Sequence, residues 1–281
     1  QYQTASVLAS ETDELWRSID SGQSWTSIPA SDRPRSGTST GTMYNVESID
    51  MSADGKYQIT GGYQLFFSEN HGATWTQQEP QLLGVEDVGY AGVAIDNDGS
   101  HRTAVSNSPR CIISRYADGA WSVLAATHDL SWAGVSMSST GKYQTAVENG
   151  ACDSVDCTED DEGKTCGVGF IHRSADFGAT WTKVNPGGTM PAKDWRHVVV
   201  SASGKFQTAA AFGDSVFHSN NFGETWTTLA LGSLTTDDAA DLYSLAMSDD
   251  GQRQLGGEFN VHTFVWDGST MPGAAPGPAP P

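Results

Sequence analysis

Three aromatic residues recur at one position of a repeated segment, and their side chains are of a kind that binds sugars. Tyr90, Trp132 and Trp195 each lie nine residues before a hairpin glycine, at the start of an apolar strand. Aromatic rings stack on the apolar faces of sugars, so three of them at one end of neighbouring strands predict a carbohydrate-binding rim. The alternative, which the sequence favours, is that this aromatic residue belongs to the repeat and packs between neighbouring sheets.

An acidic insertion offers the hard oxygen ligands that Ca²⁺ prefers. It spans residues 149–169, and its spacing does not match an EF-hand loop. The candidate ligands are Asp153, Asp156, Asp160 and Asp161. The sequence therefore predicts no required cofactor, and Ca²⁺ is the ion that this segment could bind. The alternative is a solvated acidic loop.

The four cysteines are candidates for disulfide bonds. They are Cys111, Cys152, Cys157 and Cys166, and the last three lie in the insertion. Four cysteines allow three pairings, and the sequence does not choose among them. No C-x-x-C pair is present, which favours disulfides over a zinc–thiolate site. Disulfides in turn favour an extracellular location, at the cell surface or in secreted form.

No arrangement of residues marks a catalytic site. Loop acids such as Glu86, Asp87 and Asp194 could form a carboxylate pair, but the sequence favours solvated loop acids. No G-x-S-x-G elbow is present. The net charge of −19 argues against a nucleic-acid partner, because phosphate backbones repel it. No apolar run approaches the ~18 residues of a membrane span, so membrane insertion is not expected.

Two kinds of hairpin recur along the chain and must position these residues. In the first, an apolar strand ends in Ser/Asp-x-x-Gly, as in Met51–Gly55, and a second strand follows that begins with Lys56-Tyr57-Gln58. The glycine supplies the positive φ of a tight turn. The glutamine position recurs at intervals of 42 to 63 residues, at Gln3, Gln58, Arg102, Gln144, Gln207 and Gln254.

The second hairpin carries the pattern S-x-[DN]-x-G-x-[ST]-W in four intact copies. In each, the Asp or Asn is expected to bond to the turn backbone, the Gly to take a positive φ, and the Trp to pack under the turn. The residues expected in these roles are Asp20, Gly22, Trp25, Asn70, Gly72, Trp75, Asp176, Gly178, Trp181, Asn221, Gly223 and Trp226.

These segments resemble the Asp-box, or bacterial neuraminidase, repeat, as found in sialidase and sortilin-type propellers. The resemblance implies an all-β fold, a six-bladed β-propeller of four-stranded antiparallel blades over residues 1–268, since a blade needs about 40–50 residues. Residues 269–281 form a Pro/Gly/Ala-rich tail or linker. The first repeat begins partway through a blade, and the last repeat has no obvious fourth strand. The ends could complete one another, be completed by further residues, or exchange strands between molecules.

Asp boxes also occur in xyloglucan-cleaving enzymes, photosystem assembly factors and carbohydrate-binding proteins, so they imply a fold and not an activity. The Arg-Ile-Pro motif of sialidases is absent; its nearest match is Asp32-Arg33-Pro34-Arg35. The sequence favours a non-catalytic extracellular module, structural or adhesive, with O-glycosylation of its tail. A lectin-like propeller and a sialidase-type glycoside hydrolase are the alternatives. Expected partners are glycans, proteins or further copies of the chain.

Overall fold

The computed structural model contains antiparallel β-sheets, and none of the residues that it describes is helical. It describes residues 2–7, 14–29, 32, 46–78, 89–108, 110–117, 120–124, 130–149, 169–184, 193–212, 216–229, 242–258 and 263–267. None of these residues forms a helix that could span a membrane. The chain divides into two compact units, Gln1–Asp129 and Leu130–Pro281.

The first unit holds three sheets. Sheet 1 has the strands β1 (Gln3–Val7), β2 (Glu14–Ser18) and β3 (Thr26–Ser27). Sheet 2 has β4 (Val46–Met51), β5 (Gln58–Gly62), β6 (Leu65–Ser68) and β7 (Thr76–Gln78). Sheet 3 has β8 (Gly89–Ile95), β9 (Arg102–Ser108), β10 (Arg110–Ala117) and β11 (Ala120–Val123).

The second unit also holds three sheets. Sheet 4 has β12 (Trp132–Met137), β13 (Gln144–Glu148), β14 (Ile171–Ser174) and β15 (Thr182–Lys183). Sheet 5 has β16 (Trp195–Val200), β17 (Gln207–Ala211), β18 (Val216–Ser219) and β19 (Thr227–Leu229). Sheet 6 has β20 (Leu242–Met247), β21 (Arg253–Glu258) and β22 (Thr263–Asp267).

The predicted six blades of four strands are wrong. Among the described residues there are four complete four-stranded blades, sheets 2 to 5, while sheets 1 and 6 have three strands each. Sheet 1 begins with β1, whose Gln3 matches the start of the second strand of a blade, so the described residues of sheet 1 do not include a first strand. Sheet 6 has no fourth strand among the described residues. The spacing of the repeats indicated six sheets but did not show how many strands each sheet contains. The tail 269–281 lies outside the described residues.

Each unit has its own apolar core between neighbouring sheets. In the first unit, Ile59 and Phe67 of sheet 2 pack with Tyr90 and Val93 of sheet 3. In the second unit, Val147 of sheet 4 packs with Trp195 and other apolar residues of sheet 5. Burial of these side chains supplies most of the stability of such a fold, at roughly 1.5–3 kcal/mol for each large side chain.

The same polar contact joins sheet 1 to sheet 2 and sheet 4 to sheet 5. The Gln58 side chain donates from Nε2 to the carbonyl of Gly55 at 3.0 Å and accepts at Oε1 from the Thr4 hydroxyl of the preceding sheet at 2.7 Å. Gln207 does the same with Gly204 at 3.0 Å and Thr145 at 2.6 Å. Both glutamines are buried, so these bonds satisfy groups that water cannot reach.

One junction uses different residues for the same task. Arg102 replaces the glutamine in sheet 3, and its Nε donates to the carbonyl of Gly99 at 2.9 Å. The preceding sheet has Ile59 where sheets 1 and 4 have threonine. The guanidinium of Arg102 lies 3.4 Å from the centre of the Phe67 ring, which also belongs to sheet 2. Both members of the threonine–glutamine pair are therefore replaced at this junction. Ile59 takes the place of the threonine, and Arg102, which stacks on the Phe67 ring, takes the place of the glutamine.

The aromatic residue before each glutamine packs on the hairpin glycine of the following sheet. A Cβ atom built on Gly55 would lie 2.7 Å from the Tyr2 side chain, and one built on Gly204 would lie 2.6 Å from Tyr143. Both glycines also have a positive φ, of 71° and 80°. Only glycine therefore fits these turns, for conformational and for steric reasons.

Candidate functional site

The four Ser-Asp/Asn-Gly-Trp turns share one hydrogen-bond network. In the first, the Ser18 hydroxyl donates to Asp20 Oδ1 at 2.8 Å and accepts from the backbone N–H of Gly22 at 2.8 Å. Asp20 Oδ1 accepts from the backbone N–H of Ser24 at 2.9 Å, and the Trp25 indole donates to the Gly22 carbonyl at 3.2 Å. The same bonds recur around Asn70, Asp176 and Asn221.

These turns use their acidic groups for structure. The Ser24 hydroxyl and backbone N–H, with the Ser18 hydroxyl, lower the pKa of Asp20 to about 2, so the carboxylate is ionised at neutral pH. Asn70 and Asn221 accept the equivalent backbone bond without a charge. A position that accepts Asp or Asn equally serves as a hydrogen-bond acceptor, and a general acid or base is not required there.

The residue before each turn glycine has a left-handed backbone that the sequence pattern did not reveal. Ser21, His71, Phe177 and Phe222 have φ values of 60° to 64°. Two of these side chains are placed against the preceding sheet: His71 stacks on Tyr2 at 3.8 Å and Phe222 packs on Tyr143 at 4.5 Å. Such a backbone is uncommon for large residues, so the ring contacts offset part of its cost.

The three aromatic residues expected to form a sugar-binding rim are buried. Tyr90 is 4% exposed, Trp132 is 0% exposed and Trp195 is 1% exposed. Trp132 meets the His172 ring edge-on at 5.0 Å, and Trp195 meets Phe217 in the same way at 5.2 Å. Stacking on a sugar needs an exposed ring face. Their burial supports the alternative, an aromatic residue that packs in the core of the repeat, and does not support a rim.

Sheet 4 carries a buried polar pair that sequence reasoning missed. Glu148 Oε1 lies 3.3 Å from His172 Nε2, beside Trp132. In sheet 5 the equivalent positions, set by the strand register, are Ala211 and Phe217. The sequence did contain a signal for this pair, because the polar residues Glu148 and His172 stand where sheet 5 has a small residue and an aromatic residue. The pair lies at the base of the insertion, where a Cβ on Gly169 would collide with the Glu148 carbonyl oxygen.

An exposed charged and aromatic cluster lies at the start of sheet 5. Arg196 donates to Asp194 at 2.7 Å, and its guanidinium lies 5.4 Å from the centre of the half-exposed Phe212 ring. The strand register shifts at a β-bulge between Trp195 and His197, and Arg196, which lies between them, is exposed. This cluster combines an accessible ring with both signs of charge.

The predicted metal and disulfide residues cannot be located in this structure. Asp153, Asp156, Asp160, Asp161, Cys152, Cys157 and Cys166 lie outside the described residues, and the side chain of Cys111 is not described. Within the part of the chain that is described, no three His, Cys, Asp or Glu side chains are grouped so that they could hold a metal ion. Calcium and disulfides stay predictions.

The two end sheets expose faces that the other sheets cover. Gln3 of sheet 1 is exposed, whereas Gln58, Gln144 and Gln207 are buried. In sheet 6, Leu255 is 43% exposed and its cross-strand neighbour Val265 is 74% exposed. The equivalent pair in sheet 2, Ile59 and Phe67, is at most 4% exposed. Apolar side chains in this arrangement are typical of a surface that another sheet covers.

Comparison with solved structures identifies the fold. The chain is similar to a GH74 xyloglucanase from Xanthomonas campestris, with a TM-score of 0.65 and 15% identity over 97% of this chain and 44% of that one. It is similar to the Niastella koreensis GH74 enzyme, with a TM-score of 0.64 and 17% identity over 94% of this chain and 43% of that one. The chain therefore spans less than half the length of these enzymes.

A second group of similar structures is not named as enzymes. YCF48 from Cyanidioschyzon merolae matches with a TM-score of 0.60 and 14% identity, over 95% of this chain and 80% of that one. YCF48 bound to D1 peptide matches with a TM-score of 0.55 and 15% identity, over 97% and 76%. No protein-family model and no curated protein sequence matches the chain. At these identities the likeness shows the fold alone, and that fold is an all-β propeller.

Proposed function

We propose that this chain is a non-catalytic propeller of the Asp-box type that acts outside the cell as a structural or adhesive module. The observation that carries the proposal is how the polar groups of the repeats are used. The glutamines and threonines join the sheets, and the turn acids hold their own turns. Residues committed to such bonds are not available to bind and transform a substrate.

The extracellular location rests on composition. The net charge of −19 keeps the molecule soluble, and three cysteines in one acidic insertion suit an oxidising environment. The partners proposed for such a module are glycans, other proteins or copies of itself. The YCF48 structure with a D1 peptide supports the idea that a propeller of this shape can hold a protein partner.

A hydrolysis assay tests the non-catalytic proposal. The full chain is incubated with xyloglucan and with a fluorogenic sialoside between pH 4 and pH 8, and product release is compared with heat-denatured protein. We expect no difference at any pH. Turnover that is lost on substitution of Asp194 to Asn would overturn the proposal in favour of a glycoside hydrolase.

Carbohydrate binding is the second candidate, and the cluster of Arg196, Asp194 and Phe212 favours it. A half-exposed ring beside an ion pair offers stacking and hydrogen bonds together, and both are used in sugar recognition. Glycan-array binding should be lost in Phe212→Ala and kept in Tyr63→Ala, which removes an equally exposed ring at the end of β5. Equal binding by both variants would exclude this cluster as the site.

A further inference from the structure

Sheets 2 and 5 each expose an aromatic ring at the same position of the repeat. Tyr63 lies five residues after Gln58, and Phe212 lies five residues after Gln207. Tyr63 is 50% exposed and Phe212 is 45% exposed. Each ring follows the second strand of its sheet, so one structural position presents a ring to solvent in each of the two units.

The charged residue on the neighbouring strand has the opposite sign in the two sheets. In sheet 5 the register shifts after Trp195, and the exposed residue that follows is Arg196. In sheet 2 the register shifts in the same way after Val46, and the exposed residue that follows is Glu47. Val46 is paired with the residue before Tyr63. Glu47 and Tyr63 are therefore diagonal neighbours on adjacent strands, an arrangement in which long and aromatic side chains reach each other.

In sheet 5 a ring, a cation and a carboxylate form one complete group. The Arg196 guanidinium lies 5.4 Å from the centre of the Phe212 ring and donates to Asp194 at 2.7 Å. The first unit uses related chemistry, since the Arg102 guanidinium lies 3.4 Å from the centre of the Phe67 ring. A guanidinium is planar and weakly hydrated, so it stacks on an aromatic ring while it bonds to a carboxylate.

In sheet 2 the ring and a carboxylate are present without a cation. Among the described residues, no hydrogen bond or ion pair reaches the Glu47 carboxylate. Burial of part of this side chain raises the pKa of Glu47, because a carboxylate loses hydration there. A cation beside the carboxylate would offset that loss. Sheet 2 thus has an acceptor for a guanidinium at the position where sheet 5 has the guanidinium itself.

We propose that Glu47 and Tyr63 bind an arginine side chain of a partner protein, which supplies the guanidinium that Arg196 supplies in sheet 5. The net charge of −19 favours a partner segment with several basic residues, because opposite charges attract within the screening length, about 10 Å at 0.1 M salt. Lysine fits less well, since an ammonium neither stacks flat on a ring nor bonds to a carboxylate through two parallel N–H groups. The proposal rests on the adhesive role proposed above and names the chemistry of its protein partner.

Binding of two peptides of equal charge, hexa-arginine and hexa-lysine, to the full chain tests the proposal. Both dissociation constants are measured by isothermal titration calorimetry at about 0.1 M salt. The ratio of the two constants is the readout, because attraction to the net negative charge acts on both peptides. The wild type should prefer hexa-arginine. Tyr63→Ala and Glu47→Gln should each reduce this preference about two- to fivefold, the effect of one exposed cation–π contact or one exposed ion pair.

Matched controls separate this site from general charge and from exposed rings elsewhere. Phe212→Ala removes the equivalent ring, and Glu69→Gln removes one negative charge from the exposed turn after β6. Neither variant should change the ratio. Glu47→Arg copies the residue of sheet 5 and should abolish the preference, because the chain then supplies its own guanidinium beside Tyr63.

Three results would overturn the proposal. The first is equal affinity of the wild type for both peptides, and the second is a ratio that Tyr63→Ala and Glu47→Gln leave unchanged. The third is tighter binding of a glucosamine hexamer than of hexa-arginine, lost in the same two variants, which would assign the site to a cationic sugar. Turnover in the hydrolysis assay would contradict the non-catalytic role and leave these affinities unchanged, so the two failures are distinct.

Discussion

The two units fill the same structural positions with different chemistry. In the first unit, Asp50 accepts a hydrogen bond from the backbone N–H of Ile95 in the next sheet at 2.9 Å. In the second unit, Ser136 occupies the equivalent position and accepts from Val200 at 3.1 Å. On the third strand, the residue before the turn serine is Phe67 in sheet 2 of the first unit and His218 in sheet 5 of the second. Each unit thus holds one titratable group where the other holds a neutral one.

This difference teaches that the backbone sets where a bond is needed, while several side chains can supply it. An edge strand with free N–H groups must be covered, and a hydroxyl or a carboxylate does this equally well. The choice still affects how the protein responds to pH. Burial raises the pKa of Asp50 to about 6, although the N–H groups of Ile95 and Met51 oppose the rise. Burial lowers the pKa of His218 to about 4.

The largest effect is expected from breaking a junction that both units share. Gln207→Leu removes the bonds to Gly204 and Thr145 and leaves two buried polar groups without partners. We expect a loss of about 2–4 kcal/mol in the free energy of unfolding, measured with urea. Gln3→Leu is the matched control, because Gln3 is exposed, and its effect should stay within about 0.5 kcal/mol. Equal losses would show that the junction does not stabilise the sheets.

Exchanging His218 for the phenylalanine of the first unit should remove a sensitivity to acid. The unfolded chain takes up a proton near pH 6.5 and the folded chain only near pH 4, so His218 costs stability as the pH falls through this range. The cost reaches up to about 3 kcal/mol at its acid end. His218→Phe should therefore gain stability over the wild type from pH 6.5 to pH 4. An identical dependence on pH in both proteins would show that the pKa of His218 is the same in the folded and the unfolded chain.

Exchanging Asp50 for the serine of the second unit should act in the opposite direction. The folded chain holds the Asp50 proton up to about pH 6, above the unfolded value near 3.8. The stabilising contribution is thus complete below about pH 4 and is lost as the pH rises through 6. Asp50 is only partly buried by area, so we expect about 1–2 kcal/mol.

The Asp50 exchange is read as a difference between two pH profiles. Relative to the wild type, Asp50→Ser should gain stability between pH 4 and pH 7 in thermal unfolding. Ser136→Ala is the matched control, because it removes the equivalent hydrogen bond without removing a titratable group. Its effect on the free energy of unfolding should not vary with pH. A wild-type-like profile for Asp50→Ser would rule out Asp50 as the titrating group.

The smallest effect is expected where the sequence itself already exchanges residues. Asp176→Asn copies Asn70 and Asn221, which hold the same turn. Its unfolding free energy should stay within about 0.5 kcal/mol of the wild type at pH 7. The control is Ser174→Ala, which removes the buried hydroxyl that bonds to Asp176 and Gly178 and should cost more. A larger loss in Asp176→Asn would mean that the charge matters at this turn.

The sequence by itself determined the strands and turns of this protein, because these depend on local chemistry. The hairpin glycines take the positive φ expected of them, and Asp20 and its equivalents bond to the turn backbone as their spacing predicts. Each of these features needs only residues within one unit, and a single chain shows them as a pattern. The periodic glutamine predicted six blades, and that count is wrong, because two of the six sheets have only three strands among the described residues.

Only the tertiary structure decided what the side chains between sheets do. The sequence alone left both a sugar site and a core position open for Trp132 and Trp195, and their burial against His172 and Phe217 places them in the core. The pairing of Glu148 with His172 depends on two strands that meet only after folding. Strand number in the end sheets, and with it the exposure of Leu255 and Gln3, depends on what packs beside them. The periodic glutamine recurs both in sheets whose faces are covered and in sheets 1 and 6, so the repeat pattern does not show which faces stay uncovered.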